Sequence, residues 1–110
     1  MAEEKKPKID LKARLGDRTL WLNKYVAGYP CLAEVLEVSD DGLLIRTIRE
    51  PSNREKGFTL EFEIPGSQHR MWLWAELVRS EGTLQALRIT HADLLERAQL
   101  RQLVRWREAA

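Results

Sequence analysis

Two groups of residues have the types and spacing to do chemistry. Arg14-Leu15-Gly16-Asp17-Arg18 is an Arg-x-x-x-Arg, and Glu37-Val38-Ser39-Asp40-Asp41-Gly42 is an acid-x-Ser-x-x-Gly. A guanidinium is a planar fork of donors that matches phosphate oxygens two at a time. A carboxylate accepts N–H groups, a serine hydroxyl both gives and accepts, and glycine lets a ligand approach the backbone. The bland reading of each is also physical. Arg-x-x-x-Arg arises by chance in a charged segment, and an Asp-Gly step between apolar runs is a strong hairpin signal.

No enzyme signature accompanies them. His69 and His91 are the only histidines, and with the single Cys31 they give no metal-ligand spacing. There is no Gly-x-Ser-x-Gly elbow, no Gly-rich phosphate loop ahead of a helix, and no His-Glu-x-x-His. Glu61 and Glu63 fall at solvent positions of a strand. The expectation is a protein without catalysis, metal or cofactor.

The elements that must position these groups are strands. The 110 residues are the size of one domain. Lys+Arg is 18 against Asp+Glu 17, a net charge of +1, which argues against DNA or RNA as the main partner. One cysteine excludes an internal disulfide, the first six residues have no apolar core for a signal, and no apolar run has the length of a membrane span. A cytoplasmic location is expected. Residues 1–17 are dominated by charge and read as a flexible segment that orders on binding.

The folded region is expected over 18–110. Strand composition runs from Thr19 to Val26, is broken at Gly28-Tyr29-Pro30, and resumes from Cys31 to Val38. After the Asp-Gly turn it continues from Gly42 to Arg49, and Glu50 to Gly57 is a loop. Phe58 to Ile64 is the cleanest period-2 segment; Pro65-Gly66-Ser67 turns the chain. His69 to Ser80 follows, with Met71, Leu73, Ala75 and Leu77 on one face, then a Glu81-Gly82 turn and a strand from Thr83 to Ile89. A helix of about 91–108 closes the chain, with Thr90 and Asp93 close to a capping box. Leu94, Leu95, Ala98, Leu103 and Trp106 form its apolar side, and Arg97, Arg101 and Arg105 its solvated stripe. Six short strands with close turns predict an all-β fold, a small six-stranded antiparallel barrel with a C-terminal helix.

Arg14/Arg18 and the Glu37–Gly42 turn, in this order and ahead of such a barrel, resemble the PilZ domain, the bacterial receptor module for cyclic di-GMP. The similarity covers the chain from about Arg14 to the helix. It implies that Arg14, Arg18, Ser39 and Gly42 match the family's ligand-binding positions, with Glu37 where the family has Asp or Asn. The extra methylene displaces the carboxylate by roughly 1.5 Å. The resemblance implies a non-enzymatic receptor that binds cyclic di-GMP between the Arg segment and the turn and passes the signal to a separate effector protein. Arginine forks also suit the O6/N7 edge of guanine, and a carboxylate accepts from its N–H groups.

The rival expectation is an adaptor of the same fold that binds no nucleotide. Its surface would use Trp72 and Trp74, which share a strand face and either pack beneath the helix or meet a partner. Trp106 would close that packing or extend it to a second subunit. Arg46 and Arg49, just after the turn, are further basic candidates.

Overall fold

The computed structural model describes residues 19–63 and 70–108. The charged segment with Arg14 and Arg18, the Pro65-Gly66-Ser67 turn and His69 lie outside the described residues. Six strands and one helix follow in order: β1 (Leu20–Val26), β2 (Tyr29–Val38), β3 (Gly42–Thr47), β4 (Gly57–Glu63), β5 (Arg70–Glu81), β6 (Leu84–His91) and α1 (Leu94–Glu108). The strands close into an antiparallel barrel in the ring order β1-β2-β3-β6-β5-β4. The expected six-stranded barrel with a C-terminal helix is thus what the chain forms.

Because every pairing is antiparallel, successive connections alternate between the two ends of the barrel. The start of β1, the 39–41 turn and α1 share one end. The 27–28 turn, the 48–56 loop and the 82–83 turn share the other. The chain therefore enters the barrel at the end that carries the 39–41 turn.

Inward positions hold the core: Leu22, Val35, Ile45, Leu60, Phe62, Leu73 and Ala75 are buried, in keeping with the period-2 pattern that predicted them. The first turn is tighter than the sequence suggested. Ala27 (φ 52°) and Gly28 (φ 85°) alone connect β1 to β2, and Val26 already pairs with Tyr29. Two residues with positive φ are what a two-residue hairpin needs to match strand twist.

The helix start and face differ from expectation. Asp93, not Thr90, caps α1: its carboxylate accepts from the Glu96 N–H (2.8 Å), and Glu96 accepts from the Asp93 N–H (2.9 Å). This reciprocal box places Leu94 and Leu95 in the first turn, where both stay exposed, Leu94 at 86%. Ala98 is exposed as well; of the expected face Leu103 enters the core, joined by Leu100, and Trp106 packs against it half-buried. Arg97 is not a purely solvated residue, because its guanidinium reaches back to the barrel. Long arginine stems can cover apolar surface while their tips find polar partners.

The opposite end is closed by a charge. Lys24 points inward from β1 and is 0% exposed. Its ammonium donates to both carboxylate oxygens of Glu50 (3.0 Å each) and to Gln85 Oε1 (2.7 Å), and lies 3.9 Å from the centroid of the Phe58 ring. All three ammonium protons are used, so the burial is tolerated. Glu50 comes from the 48–56 loop, so this ion pair anchors the irregular segment across the barrel mouth. Removing one partner strands a buried charge, which costs about 3–5 kcal/mol. Glu50→Ala should lower the urea unfolding free energy by about that much, whereas Lys24→Met combined with Glu50→Gln should recover most of it. A double variant as unstable as Glu50→Ala would show that the charges themselves are required.

Candidate functional site

The Glu37–Gly42 segment is built by one bulge and one hydroxyl. Along β2, Ala33 and Val35 face the core, so strict alternation would bury residue 37. The register instead slips between Val35 and Glu37: Val35 pairs with Ile45, and Glu37 pairs with Leu44. Leu36 is the extra residue. The bulge re-aims the strand, so that Val38 packs on the core and Glu37 stands exposed.

Beyond the bulge, Ser39 holds the turn. Its N–H donates to the Gly42 carbonyl (2.9 Å), and its hydroxyl oxygen accepts from the Gly42 N–H (3.1 Å) and donates to Asp41 Oδ1 (2.9 Å). This is a serine side chain standing in for a backbone turn bond. Gly42 is constrained as well, since a Cβ there would lie 3.0 Å from the Leu87 carbonyl oxygen of the neighbouring strand. Serine and glycine at this spacing therefore have structural work in the turn, whatever else they contact.

The structure brings Glu37, Ser39 and Gly42 together on one open depression of about 330 Å³, with Leu44, Ala86 and Arg79. That volume is at the low end for a small-molecule site. Arg79 was not singled out from the sequence. Register puts it there: Glu37 pairs with Leu44, Leu44 with Ala86, and Ala86 with Arg79. Glu37 and Arg79 thus stand at the two ends of this row, three strand spacings or about 14 Å apart along the sheet. Arg79 makes no ion pair among the described residues. No short-range signal could have found it, because the row joins residues from four strands. Arg46 is occupied by Glu34 at 2.9 Å. Arg101 and Arg105 line a second depression of about 290 Å³ beside Ser39 and Asp40, on the helix side of the turn.

The aromatic surface is elsewhere. Trp72 and Trp74 are 46% and 39% exposed on the outer barrel wall. Trp72 stacks obliquely on Tyr25 (centroids 5.8 Å), and the Trp74 ring covers Gly57, where a Cβ would come within 2.1 Å of it. Trp21 and Leu32 extend this wall on β1 and β2. Trp106 does not join it, being part of the helix–core contact. At the centre of the wall is a corrected residue: Glu61 is only 6% exposed rather than solvated. It accepts from the Tyr25 hydroxyl (2.8 Å), from Asn23 (3.3 Å) and from the Arg70 guanidinium. The Tyr25 and Arg70 hydrogen bonds hold its carboxyl below the usual glutamate range, against the opposing effect of burial. The same carboxylate raises Tyr25, mainly through their hydrogen bond, and likewise raises Arg70.

Among the described residues there is no group of three or more His, Cys, Asp or Glu that could hold a metal, and no helix is long and apolar enough to cross a membrane. No family model and no curated protein matches the chain. The fold does match a solved structure, the crystal structure of the PilZ domain of CeSA from a cellulose synthesizing bacterium. The match has a TM-score of 0.65 at 14% identity and covers 84% of this chain and 95% of that one. The architecture is PilZ-like, in agreement with the resemblance drawn from the sequence.

Glu61 makes a pH dependence testable. Its folded carboxyl is depressed below the ordinary value of 4.5. Its contribution is therefore complete above that value and is lost as pH falls through the lower, folded value. Urea titrations from pH 7 down to 3 should show a loss of stability that is smaller in Glu61→Gln. An identical acid limb in the two proteins would remove Glu61 as a source of acid sensitivity.

Proposed function

We propose that the protein is a non-enzymatic receptor of bacterial second-messenger signalling, which binds cyclic di-GMP at the Glu37–Gly42 turn and passes the signal to a separate effector protein. The observation that carries this reading is a register. Leu20 pairs with Val35, so the chain enters the barrel directly beside the bulge that presents Glu37. Arg18 is two residues upstream of Leu20 and Arg14 six, within at most about 7 Å and 21 Å of it along an extended chain. Both arginines are within reach of the depression that Glu37, Ser39, Gly42 and Arg79 line. The PilZ-like fold supports the same reading.

In this mechanism the barrel supplies the rigid half. The arginines would grip the two phosphates and guanine edges, and Glu37 would accept from guanine N–H groups. Arg79 adds a positive charge on the far wall. Ser39 contributes chiefly by fixing the turn, and Gly42 by leaving room.

The second reading is an adaptor that works through the aromatic wall without a nucleotide. Two observations favour it: the Ser39 hydroxyl is already engaged within the turn, and Trp21, Leu32, Trp72 and Trp74 leave an exposed apolar surface around a fixed Glu61–Arg70 pair.

Titration calorimetry with cyclic di-GMP separates them. The receptor should bind with a dissociation constant of about 1 μM or tighter. Arg14→Ala and Arg18→Ala should abolish binding, Arg79→Ala should weaken it about tenfold, and Glu37→Asp should strengthen it. No heat at about 1 mM ligand would discard the receptor and leave the adaptor.

A further inference from the structure

The C-terminal helix grips the backbone of the candidate site itself. Arg107, in the last turn of α1, donates from Nη1 to the Val35 carbonyl (3.1 Å) and from Nη2 to the Leu36 carbonyl (3.2 Å). Those are the two carbonyls of the bulge that turns Glu37 outward. Ten residues earlier, Arg97 donates from Nη1 to the Asp40 carbonyl (3.3 Å), at the tip of the turn between Ser39 and Gly42. Leu100 and Leu103, fully buried between the two arginines in sequence, fix the helix against the core. One rigid element therefore holds both the strand before the turn and the turn itself.

Bulge carbonyls are the backbone groups that a regular ladder leaves poorly paired. A guanidinium is suited to this task because two of its nitrogens form a planar fork that spans adjacent acceptors, and both bonds are assisted by its delocalised charge. A lysine at position 107 would satisfy only one carbonyl well at a time. Neither Arg97 nor Arg107 has a carboxylate ion pair among the described residues, so the barrel backbone is their described partner.

We propose that Arg97 and Arg107 are positioning residues which latch α1 to the Glu37–Gly42 segment, so that the helix and the ligand turn act as one coupled element. In the free protein the latch holds Glu37 outward and the turn closed. A ligand that pulls on Glu37 or on the Ser39–Gly42 backbone moves the acceptor carbonyls of the latch. It thereby changes how firmly α1 is seated, and the exposed Leu94 and Leu95 with it. Coupling is reciprocal, so whatever loosens the helix weakens the ligand by the same factor. The ligand half of this proposal rests on the receptor reading above; the positioning half concerns the free protein alone.

Amide hydrogen exchange on the full chain tests the positioning half. Arg107→Ala should accelerate exchange of the 36–42 amides by about tenfold or more, Arg97→Ala should act mainly on 39–42, and Arg107→Lys should fall between Arg107→Ala and the unsubstituted protein. The β4 and β5 amides should be unchanged, which separates a local latch from general destabilisation. Unaltered exchange over 36–42 in both alanine variants, or equal acceleration in every strand, overturns the proposal. Calorimetry and exchange with cyclic di-GMP test the coupling. Arg107→Ala should weaken binding about tenfold, and ligand should alter α1 exchange in the unsubstituted protein but not in the Arg97→Ala, Arg107→Ala double variant. Unchanged affinity in Arg107→Ala overturns the coupling. Absence of binding to the unsubstituted protein sinks the receptor reading and the coupling with it, while the free-state exchange still decides the positioning role.

Discussion

The barrel depends on a short seam. Among the described residues β1 and β4 are joined by three pairs, Leu22–Phe62, Asn23–Glu61 and Lys24–Leu60, against seven between β1 and β2 and seven between β4 and β5. Without those three the sheet would have two open edges and an unsealed interior. Side chains reinforce it from both faces. Outside, Asn23 and Tyr25 of β1 both donate to Glu61 of β4; inside, the Lys24 ammonium sits on the Phe58 ring. Lys24 and Glu61, two of the three buried polar residues among those described, thus lie at this seam. Closure then dictates the rest, because a closed barrel has two mouths and each must be covered.

The mouths are covered by different chemistry. At one, Glu50 reaches from an irregular loop to neutralise Lys24 and to accept from Gln85. That plug is polar, local and remote from the candidate site. At the other, α1 inserts Leu100 and Leu103 and extends two arginines to the β2–β3 hairpin. The surfaces on which the two readings rest are also separate. The depression beside the 39–41 turn is a mixed polar groove at the helix end, whereas Trp72, Trp74 and Trp21 belong to the side wall.

Strand number, the order of elements along the chain and the hairpin turn at 39–41 were legible because their signals are local. Alternation over Phe58 to Glu63 and the Asp-Gly step before Leu43 involve neighbours in the chain. What escaped detection depends on pairings between distant segments. Lys24 reads as a surface lysine until Glu50 and Gln85, 26 and 61 residues away, are placed beside it. Glu61 reads as solvated until Tyr25 and Arg70 cover it. Arg79 joins Glu37 only through a row of four strands, and the bulge at Leu36 inverts the parity on which any in-or-out reading relies. The helix was misread by a smaller error. Leu94, Leu95 and Ala98 were set on the buried side although all three are exposed, and Leu100 was overlooked.

The ring order has a consequence for the chain while it is being made. β1 leaves the ribosome before the other five strands of the barrel, and its neighbour β2 follows within a two-residue turn. Its other edge has no partner until β4 arrives, as the 38-residue separation of Asn23 and Glu61 records. During that interval a strand carrying Trp21 and Tyr25 presents bare N–H and C=O groups to its surroundings, the condition under which nascent sheets pair with the wrong chain. Lys24 sits in the middle of that same strand. Its charge, awkward in the finished interior, is of the kind that discourages such mispairing while the ring is open.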